Sequence, residues 1–189
     1  MGTNNSNVVV PNPVMRYDIA DYLRLPDGTF ELMGLGFESL NESPNAQSSG
    51  KTYINQRSQA SFVKSYQTEF PYSADMIKSE KALMALYKVA RDHLTGANAM
   101  FEYVRVDLYD PVVTVTGEGE QAVTETSTEE FKARKFVVSD EVSTIEGAGG
   151  DSMVFSGTLK AFGDHEEGTF NVKTKTFTKA VAESAPATE

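Results

Sequence analysis

One stretch of the chain, residues 74–95, has the apolar spacing of an amphipathic α-helix, whereas the segments around it alternate like β-strands. Ser73 is placed to cap this helix, and Gly96 is placed to end it in a left-handed conformation. A lone amphipathic helix in a strand-rich chain has to lay its apolar face on a sheet. We therefore predict a mainly β fold, a β-sandwich or barrel-like domain with one flanking amphipathic α-helix.

The rest of the chain divides into about seven or eight strand-like segments, with no internal repeat and no domain-scale linker among its 189 residues. We predict a single β-domain over residues 14–178. An Asn-, Ser- and Pro-rich lead-in over residues 1–13 and a tail over residues 179–189 are expected to be flexible or disordered. The segment from Phe155 to Phe177 is interpreted as a closing β-hairpin around the sequence GDHEEG.

Composition limits the classes of function. The chain has no cysteine, which removes disulfides and thiolate chemistry, and no apolar window reaches the roughly 20 residues that a membrane helix needs. The formal net charge is −10, the wrong sign for a protein that holds nucleic acid through its phosphates. We see no export signal at the N-terminus and expect synthesis in the cytoplasm.

A polar arm over residues 41–57 lies between two strand-like segments and is much longer than a hairpin turn requires. Residues 41–70 carry Lys51, Arg57 and Lys64 against two glutamates, a net charge of +1. Residues 111–151 carry a net charge of −6. The arm therefore lies in a positively charged segment of an acidic chain, and it needs a partner if it is to be more than a mobile loop.

The sequence offers little that is typical of an enzyme. His93 lies at the predicted helix C-terminus, where the helix dipole favours an imidazolium. His165 stands in GDHEEG, whose consecutive side chains are poorly arranged to converge on one metal ion. The glycine-rich EGAGGD lacks the Lys-Ser/Thr pair and the following helix of a phosphate loop. We predict no catalytic residues, no metal site and no cofactor.

Three stretches carry a resemblance to a known family: FELMGLGFESLNESPNAQSSGKTYIN, KSYQTEFPYSADMIKSEKALMALYKVARDHLTG and FSGTLKAFGDHEEGTFNVKTKTFT. Together they resemble the major tail tube proteins of long-tailed, siphovirus-type bacteriophages, especially those with Gram-positive hosts. Proteins of that family are β-sandwich or barrel-like domains with one flanking helix. The resemblance thus implies a structural virion protein that closes into six-membered rings, which stack into a tube through which phage DNA passes.

The resemblance also implies partners and site residues. The chief partner would be the protein itself, and a tape-measure protein and tail terminator or distal tail proteins are expected beside it. The long connection would reach a neighbouring subunit; its candidate contact residues are Asn41, Glu42, Pro44, Asn45, Lys51, Tyr53, Ile54 and Arg57. Glu102, Asp107 and Glu120 are candidate acids of the lumen, where negative charge would let DNA slide without binding.

Other classes remain open at this stage. The tube protein of a contractile tail or of a phage-derived bacteriocin would share the fold. A β-sandwich binding or adhesin module would be a monomer with an exposed aromatic platform, and the absence of tryptophan weakens that interpretation. Rings or tubes of the purified protein would support a tail protein, and monomers would support the binding module.

Overall fold

The structure is a computed structural model that describes residues 12–116 and 123–180, and these residues form eleven β-strands and one α-helix. The strands are β1 (Ile19–Arg24), β2 (Phe30–Leu32), β3 (Phe37–Leu40), β4 (Ala46–Lys51), β5 (Ala60–Tyr66), β6 (Glu69–Asp75), β7 (Met100–Thr116), β8 (Val123–Glu146), β9 (Val154–Ala161), β10 (Glu166–Asn171) and β11 (Thr176–Lys179). The helix, α1, spans Lys81–Arg91. Short 3-10 turns span Arg16–Asp18 and Gly96–Ala99. The predicted mainly β class is confirmed.

Nine strands form one curled, half-barrel sheet in the order β2-β1-β7-β8-β9-β6-β3, and β10 and β11 extend it from β8. Strand β8 organises this sheet because β9 and β10 share one of its edges. β10 pairs with residues 130–135 of β8, and β9 pairs with residues 138–146. On the other edge of β8, β7 pairs with it from Met100, opposite Ser139, to Thr116, opposite Val123.

The core lies on both faces of this sheet. One cluster of buried side chains includes Leu23, Phe70, Tyr103 and Phe136 and receives the buried face of α1. The second cluster lies where β10 packs over β1 and β2, and the Phe170 ring centroid is 4.5 Å from that of Tyr22. In the described part of the chain, no helix is both long enough and apolar enough to span a membrane.

The predicted helix over residues 74–95 is too long at its N-terminus. Residues 69–75 form β6, whose side chains are buried in strict alternation and which pairs with both β3 and β9. Glu80, not Ser73, is the N-cap residue. His93, with φ of +51°, follows the helix in the left-handed region, whereas Gly96 begins the next 3-10 turn. Sheet pairing on two edges takes up Ala74 and Asp75, and the helix begins only at Lys81.

The predicted closing hairpin from Phe155 to Phe177 is also wrong in its pairing. β9 and β10 do not pair with each other, because each pairs with β8. The closing hairpin is β10–β11, with Phe170 opposite Phe177. Lys179, assigned to the tail by the sequence, is the last residue of β11. Most of the predicted lead-in and tail, residues 1–11 and 181–189, lies outside the described residues.

Candidate functional site

A hairpin that pairs with no other strand is the most distinctive surface feature among the described residues. Strands β4 and β5 form a separate two-stranded antiparallel sheet in which Ala46 lies opposite Tyr66 and Lys51 lies opposite Ala60. Every residue of β5 is exposed, and so is most of β4. A two-stranded ribbon exposed on both faces is only marginally stable in water. The predicted arm over residues 41–57 is thus one limb of a larger hairpin.

The surface of this hairpin combines aromatic and basic side chains. Phe62 and Tyr66 are 54% and 64% exposed. Lys64 lies between them at a register shift, where it has no partner on β4, and Lys51 lies opposite Ala60. All seven residues of β5 are exposed, so the apolar side chains of this strand have no core to cover within the subunit.

The tip of the hairpin carries two further exposed apolar residues. Tyr53 is 55% exposed and Ile54 is fully exposed. The Gln56 amide donates a hydrogen bond of 3.0 Å to the Tyr53 carbonyl, which closes a turn at this point. Arg57 is exposed in the same connection. The structure therefore brings together Lys51, Tyr53, Ile54 and Arg57 on the outer part of the arm, as candidates for contact with another molecule.

The base of the hairpin is fixed to the body by backbone hydrogen bonds. Ser43 and Glu69 exchange two such bonds, at 2.8 and 2.9 Å, and the Asn41 amide donates to the Pro71 carbonyl at 3.0 Å. Asn45 has φ of +48° and its side-chain amide donates to the Gln67 carbonyl. Asparagine tolerates this left-handed conformation better than most residues. The chain thus changes direction at Asn45, where the hairpin leaves the sheet.

Glu42 anchors this base within the subunit. Its carboxylate accepts two hydrogen bonds from the Arg134 guanidinium, at 2.7 and 2.9 Å, and lies 3.5 Å from the Arg105 Nε atom. Burial opposes ionisation of Glu42, but the hydrogen bonds and charge of Arg134 outweigh it and hold the pKa of Glu42 below its ordinary value. The same hydrogen bonds raise the pKa of Arg134. Glu42 was predicted as an inter-subunit residue, yet the structure engages it intramolecularly.

A buried polar cluster continues inward from this ion pair. Asp21, which is 1% exposed, accepts hydrogen bonds from Tyr103 and Arg16. Arg105, 5% exposed, places its Nε atom 3.9 Å from the Asp21 carboxylate. Burial, together with the charge of Asp21, raises the pKa of Tyr103 well above its usual value. The cluster joins β1 and β7 beneath the hairpin base, and Arg105 lies between the carboxylates of Asp21 and Glu42 while its buried Nη1 atom has no hydrogen-bond partner among the described residues.

The candidate lumen acids Glu102 and Asp107 differ in their burial and in their charged neighbours. Glu102 pairs with Arg24 at 2.9 Å and with Lys135 at 3.9 Å, so its charge is largely compensated. Asp107 is half-buried, and burial raises its pKa. Glu120 lies outside the described residues. Their position toward a lumen stays a prediction.

The histidines lie apart from one another. His93 follows α1, and the His165 ring centroid lies 5.2 Å from that of Phe136. Within residues 12–116 and 123–180, no group of three or more His, Asp or Glu side chains is arranged to hold a metal ion. Glu166, beside His165, is paired instead with Lys135 and Lys179, whose hydrogen bonds lower its pKa to about 2.

Comparisons with known proteins give a distant structural likeness. No protein-family model matches the chain, and no curated protein matches it. A solved structure that resembles it is described as "Cryo-EM structure of the anti-feeding prophage (AFP) baseplate, 6-fold symmetrised". The identity is 6% and the TM-score is 0.45, over 87% of this chain and 99% of the other. A likeness this remote carries no functional argument.

Proposed function

We propose that the protein is a structural subunit that self-associates through the projecting hairpin β4–β5. The observation that carries this proposal is an exposed ribbon with aromatic side chains on a firmly fixed base. Such a ribbon gains stability when another surface covers its exposed aromatic side chains and pairs with its free edges. Another copy of the chain supplies that surface in a closed or stacked assembly.

Charge supports an approach of this hairpin to the acidic part of a neighbour. Lys51, Arg57 and Lys64 are all exposed on the hairpin, whereas residues 111–151 are acidic. Some of those acids already have partners within the subunit, since Glu129 pairs with Lys173 and Glu141 pairs with Lys160. The ribbon formed by the distal parts of β7 and β8 carries Glu125 and exposed valines. Opposite charge on two projecting ribbons favours one orientation of association.

The assembly we propose is the tail tube of a phage, made of stacked six-membered rings with DNA passing through the lumen. The sequence resemblance supports this finer assignment, and a curled sheet with free edges is suited to ring closure. The net charge of −10 per subunit would oppose binding of DNA to the wall. In this role the protein is not an enzyme, resides in the virion after cytoplasmic synthesis, and contacts tape-measure, terminator and distal tail proteins. The tube of a contractile tail or bacteriocin is the alternative.

The experiment replaces the hairpin without disturbing its base. Asn45 and Gln67 are joined by a backbone hydrogen bond of 3.3 Å, so residues 46–66 can be exchanged for a two-residue Asn-Gly turn. Purified wild-type protein should form rings or tubes in negative-stain electron micrographs at high concentration. The shortened protein should stay monomeric with an unchanged circular dichroism spectrum of its sheet.

A matched control is Leu35→Ser, which removes an apolar side chain that is 66% exposed but lies off the hairpin. This variant should assemble like wild type. Tubes of normal length from the shortened protein would exclude the hairpin as the assembly element. A wild-type protein that remains monomeric at millimolar concentration would exclude the tube and favour a binding module.

A further inference from the structure

An apolar groove lies between α1 and the turn that joins β1 to β2. Its volume is about 1010 Å³, and its lining includes Leu25, Met84, Val89, Leu94 and Met100. Concave apolar surfaces of this kind are where proteins receive an apolar segment of another molecule. The groove is therefore a candidate contact surface, apart from the hairpin β4–β5.

A second uncovered apolar surface lies on the distal ribbon, which we define as residues 113–116 of β7 paired with residues 123–126 of β8. Among the strands that the structure describes, β1 pairs with β7 only as far as Asp107, and β10 pairs with β8 only as far as Glu130. Both outer edges of the distal ribbon are therefore free. Val113 and Val115 are 53% and 61% exposed on it. Such a ribbon gains stability when another surface covers it.

The two faces of the distal ribbon differ in chemistry. Val113 lies opposite Thr126, and Val115 lies opposite Thr124. No register shift interrupts these pairs, so the four side chains share one face, the valine face, and none of them is ionisable. Glu125 points to the other face, because it lies between the two threonines along the strand. The valine face thus suits an apolar floor, and the face with Glu125 remains available to the basic hairpin.

The groove and the distal ribbon lie at opposite ends of β7. Met100, the first residue of β7, lines the groove, whereas Val113 follows it by thirteen residues along the same strand. At about 3.3 Å per residue, this separation corresponds to roughly 40 Å. A subunit therefore cannot place its own distal ribbon in its own groove, but a second copy can supply one.

Charge favours an approach of the distal ribbon to the groove. The groove lining has three cations and two carboxylates, a net charge of +1. Among the described residues, no carboxylate lies within 4.0 Å of the ammonium of Lys88, one of those cations. Residues 108–116 and 123–130 contain four carboxylates and no lysine or arginine, and only Asp110 and Glu129 of these acids pair with lysines of the subunit. The remaining negative charge is attracted to the groove and steers the encounter.

We propose that the valine face of the distal ribbon of one subunit docks in the groove beside α1 of a second copy. This inference rests on the proposed self-association and adds a second contact to it. Because the two surfaces differ, the contact is heterologous. Each subunit can therefore use its ribbon on one neighbour and its groove on another, which repeats the contact around a ring or along a stack.

The first test is cross-linking between copies, which the absence of native cysteine makes unambiguous. Val115→Cys protein is mixed with Ala85→Cys protein, which is substituted in the groove, and brought to the concentration of assembly. The matched control replaces the second protein with Ala148→Cys, changed at an exposed alanine outside the groove. Under mild oxidation the disulfide to the groove should form at least about tenfold faster than the control disulfide, because docking raises the local concentration of the two thiols.

Electron micrographs of the same samples separate this contact from the proposed function. Assembled particles in which the groove pair and the control pair form disulfides at equal rates would overturn the contact and leave assembly through the hairpin standing. Monomers without cross-links would overturn both.

The second test asks whether the valine face is the surface that fills the groove. Met84 and Met100 line the groove, whereas Met153 lies elsewhere and serves as an internal control. As the protein concentration rises toward that of assembly, the methyl NMR resonances of Met84 and Met100 should shift and that of Met153 should not. The double variant Val113→Ser/Val115→Ser, with its hairpin intact, should lose these shifts. Shifts of equal size in the double variant would show that another surface fills the groove and would overturn the proposal.

Discussion

Arg134 donates two hydrogen bonds to Glu42 across 92 residues of sequence and so ties the middle of β8 to the base of the projecting hairpin. The pair lies directly above the buried Asp21–Tyr103–Arg105 cluster, to which Arg105 connects it. A bidentate, partly buried pair of this kind holds its elements in a defined geometry. We infer that it keeps the hairpin at a constant angle to the sheet.

Breaking this pair should loosen the hairpin base. Arg134→Met keeps most of the side-chain stem but removes both hydrogen bonds, so the half-buried Glu42 loses its best partner. We expect a loss of about 1–3 kcal/mol in the free energy of unfolding. Amide hydrogen exchange at Ser43 and Glu69 should become faster.

The control for that variant is Lys173→Met, which breaks the exposed pair between Lys173 and Glu129. Exposed pairs contribute less than about 1 kcal/mol, so its stability should stay close to that of wild type. Exchange at Ser43 and Glu69 that is unchanged in Arg134→Met would contradict an anchoring role.

The buried carboxyl of Asp140 should make the protein less stable as pH rises. Asp140 is 4% exposed, and burial raises its pKa to about 7, while Tyr72 donates a hydrogen bond of 2.8 Å to one of its oxygens. Between about pH 4 and pH 7 the unfolded chain has lost this proton and the folded chain retains it. The stabilising contribution of Asp140 to the free energy of unfolding is therefore fully present below pH 4. It decreases as pH rises to 7, by up to about 4 kcal/mol.

Asp140→Asn should remove this dependence because the amide oxygen can still accept from Tyr72 and carries no charge. The difference in unfolding free energy between the variant and wild type should grow in the variant's favour from pH 4 to pH 8. Urea titrations at several pH values measure it, with the exposed Asp151→Asn as the control. A difference that does not change with pH would show that Asp140 ionises normally.

Gly157 should tolerate no side chain. A Cβ atom at this position would lie 2.6 Å from the Tyr72 hydroxyl and 2.7 Å from the Glu141 carbonyl, which belongs to the paired backbone of β8. Gly157→Ala should lower the free energy of unfolding by about 1–3 kcal/mol because β8 and β9 must separate. Thermal unfolding scans of both variants measure this difference. Gly149→Ala, with no atom within 4 Å of the added carbon, should have little effect in the scan.

Replacing the aromatic residues of the hairpin should affect assembly without affecting stability. Phe62 and Tyr66 are more than half exposed, so changing both to serine should alter the unfolding free energy of the monomer by less than about 0.5 kcal/mol. Sedimentation velocity should show loss of the larger particles that wild type and Leu35→Ser form. If the double variant sediments like wild type, Phe62 and Tyr66 are not part of the contact surface.

Some of the fold was accessible from the sequence because it depends on local pattern. Apolar, β-branched and aromatic residues correctly indicated strands β1 and β7, and the apolar stripe of Leu83 and Leu86 correctly indicated a helix facing a sheet. The length, polarity and positive charge of the connection that follows β3 are likewise visible in the sequence. In these segments the residues that determine the structure are close together in sequence.

The structural features that the sequence did not predict all depend on partners distant in sequence. Ala74 and Asp75 were placed in the first turn of the predicted helix, but β3 and β9 recruit them into the sheet. The alternation of β5 resembles that of a half-buried strand, although no second layer covers it. The residues around Glu42 in sequence likewise cannot reveal its pairing with Arg134.

The amino-acid sequence by itself therefore determined the mainly β class, the presence of one amphipathic helix and the positive charge of residues 41–70, because periodicity and charge are properties of neighbouring residues. Only the tertiary structure decided which strands share β8, which apolar face remains uncovered and which charges are already neutralised. Those features depend on contacts between residues far apart in the chain, such as Glu42 with Arg134 and Tyr72 with Asp140. Local pattern carries no information about such pairings, since each requires the fold to bring its two members together.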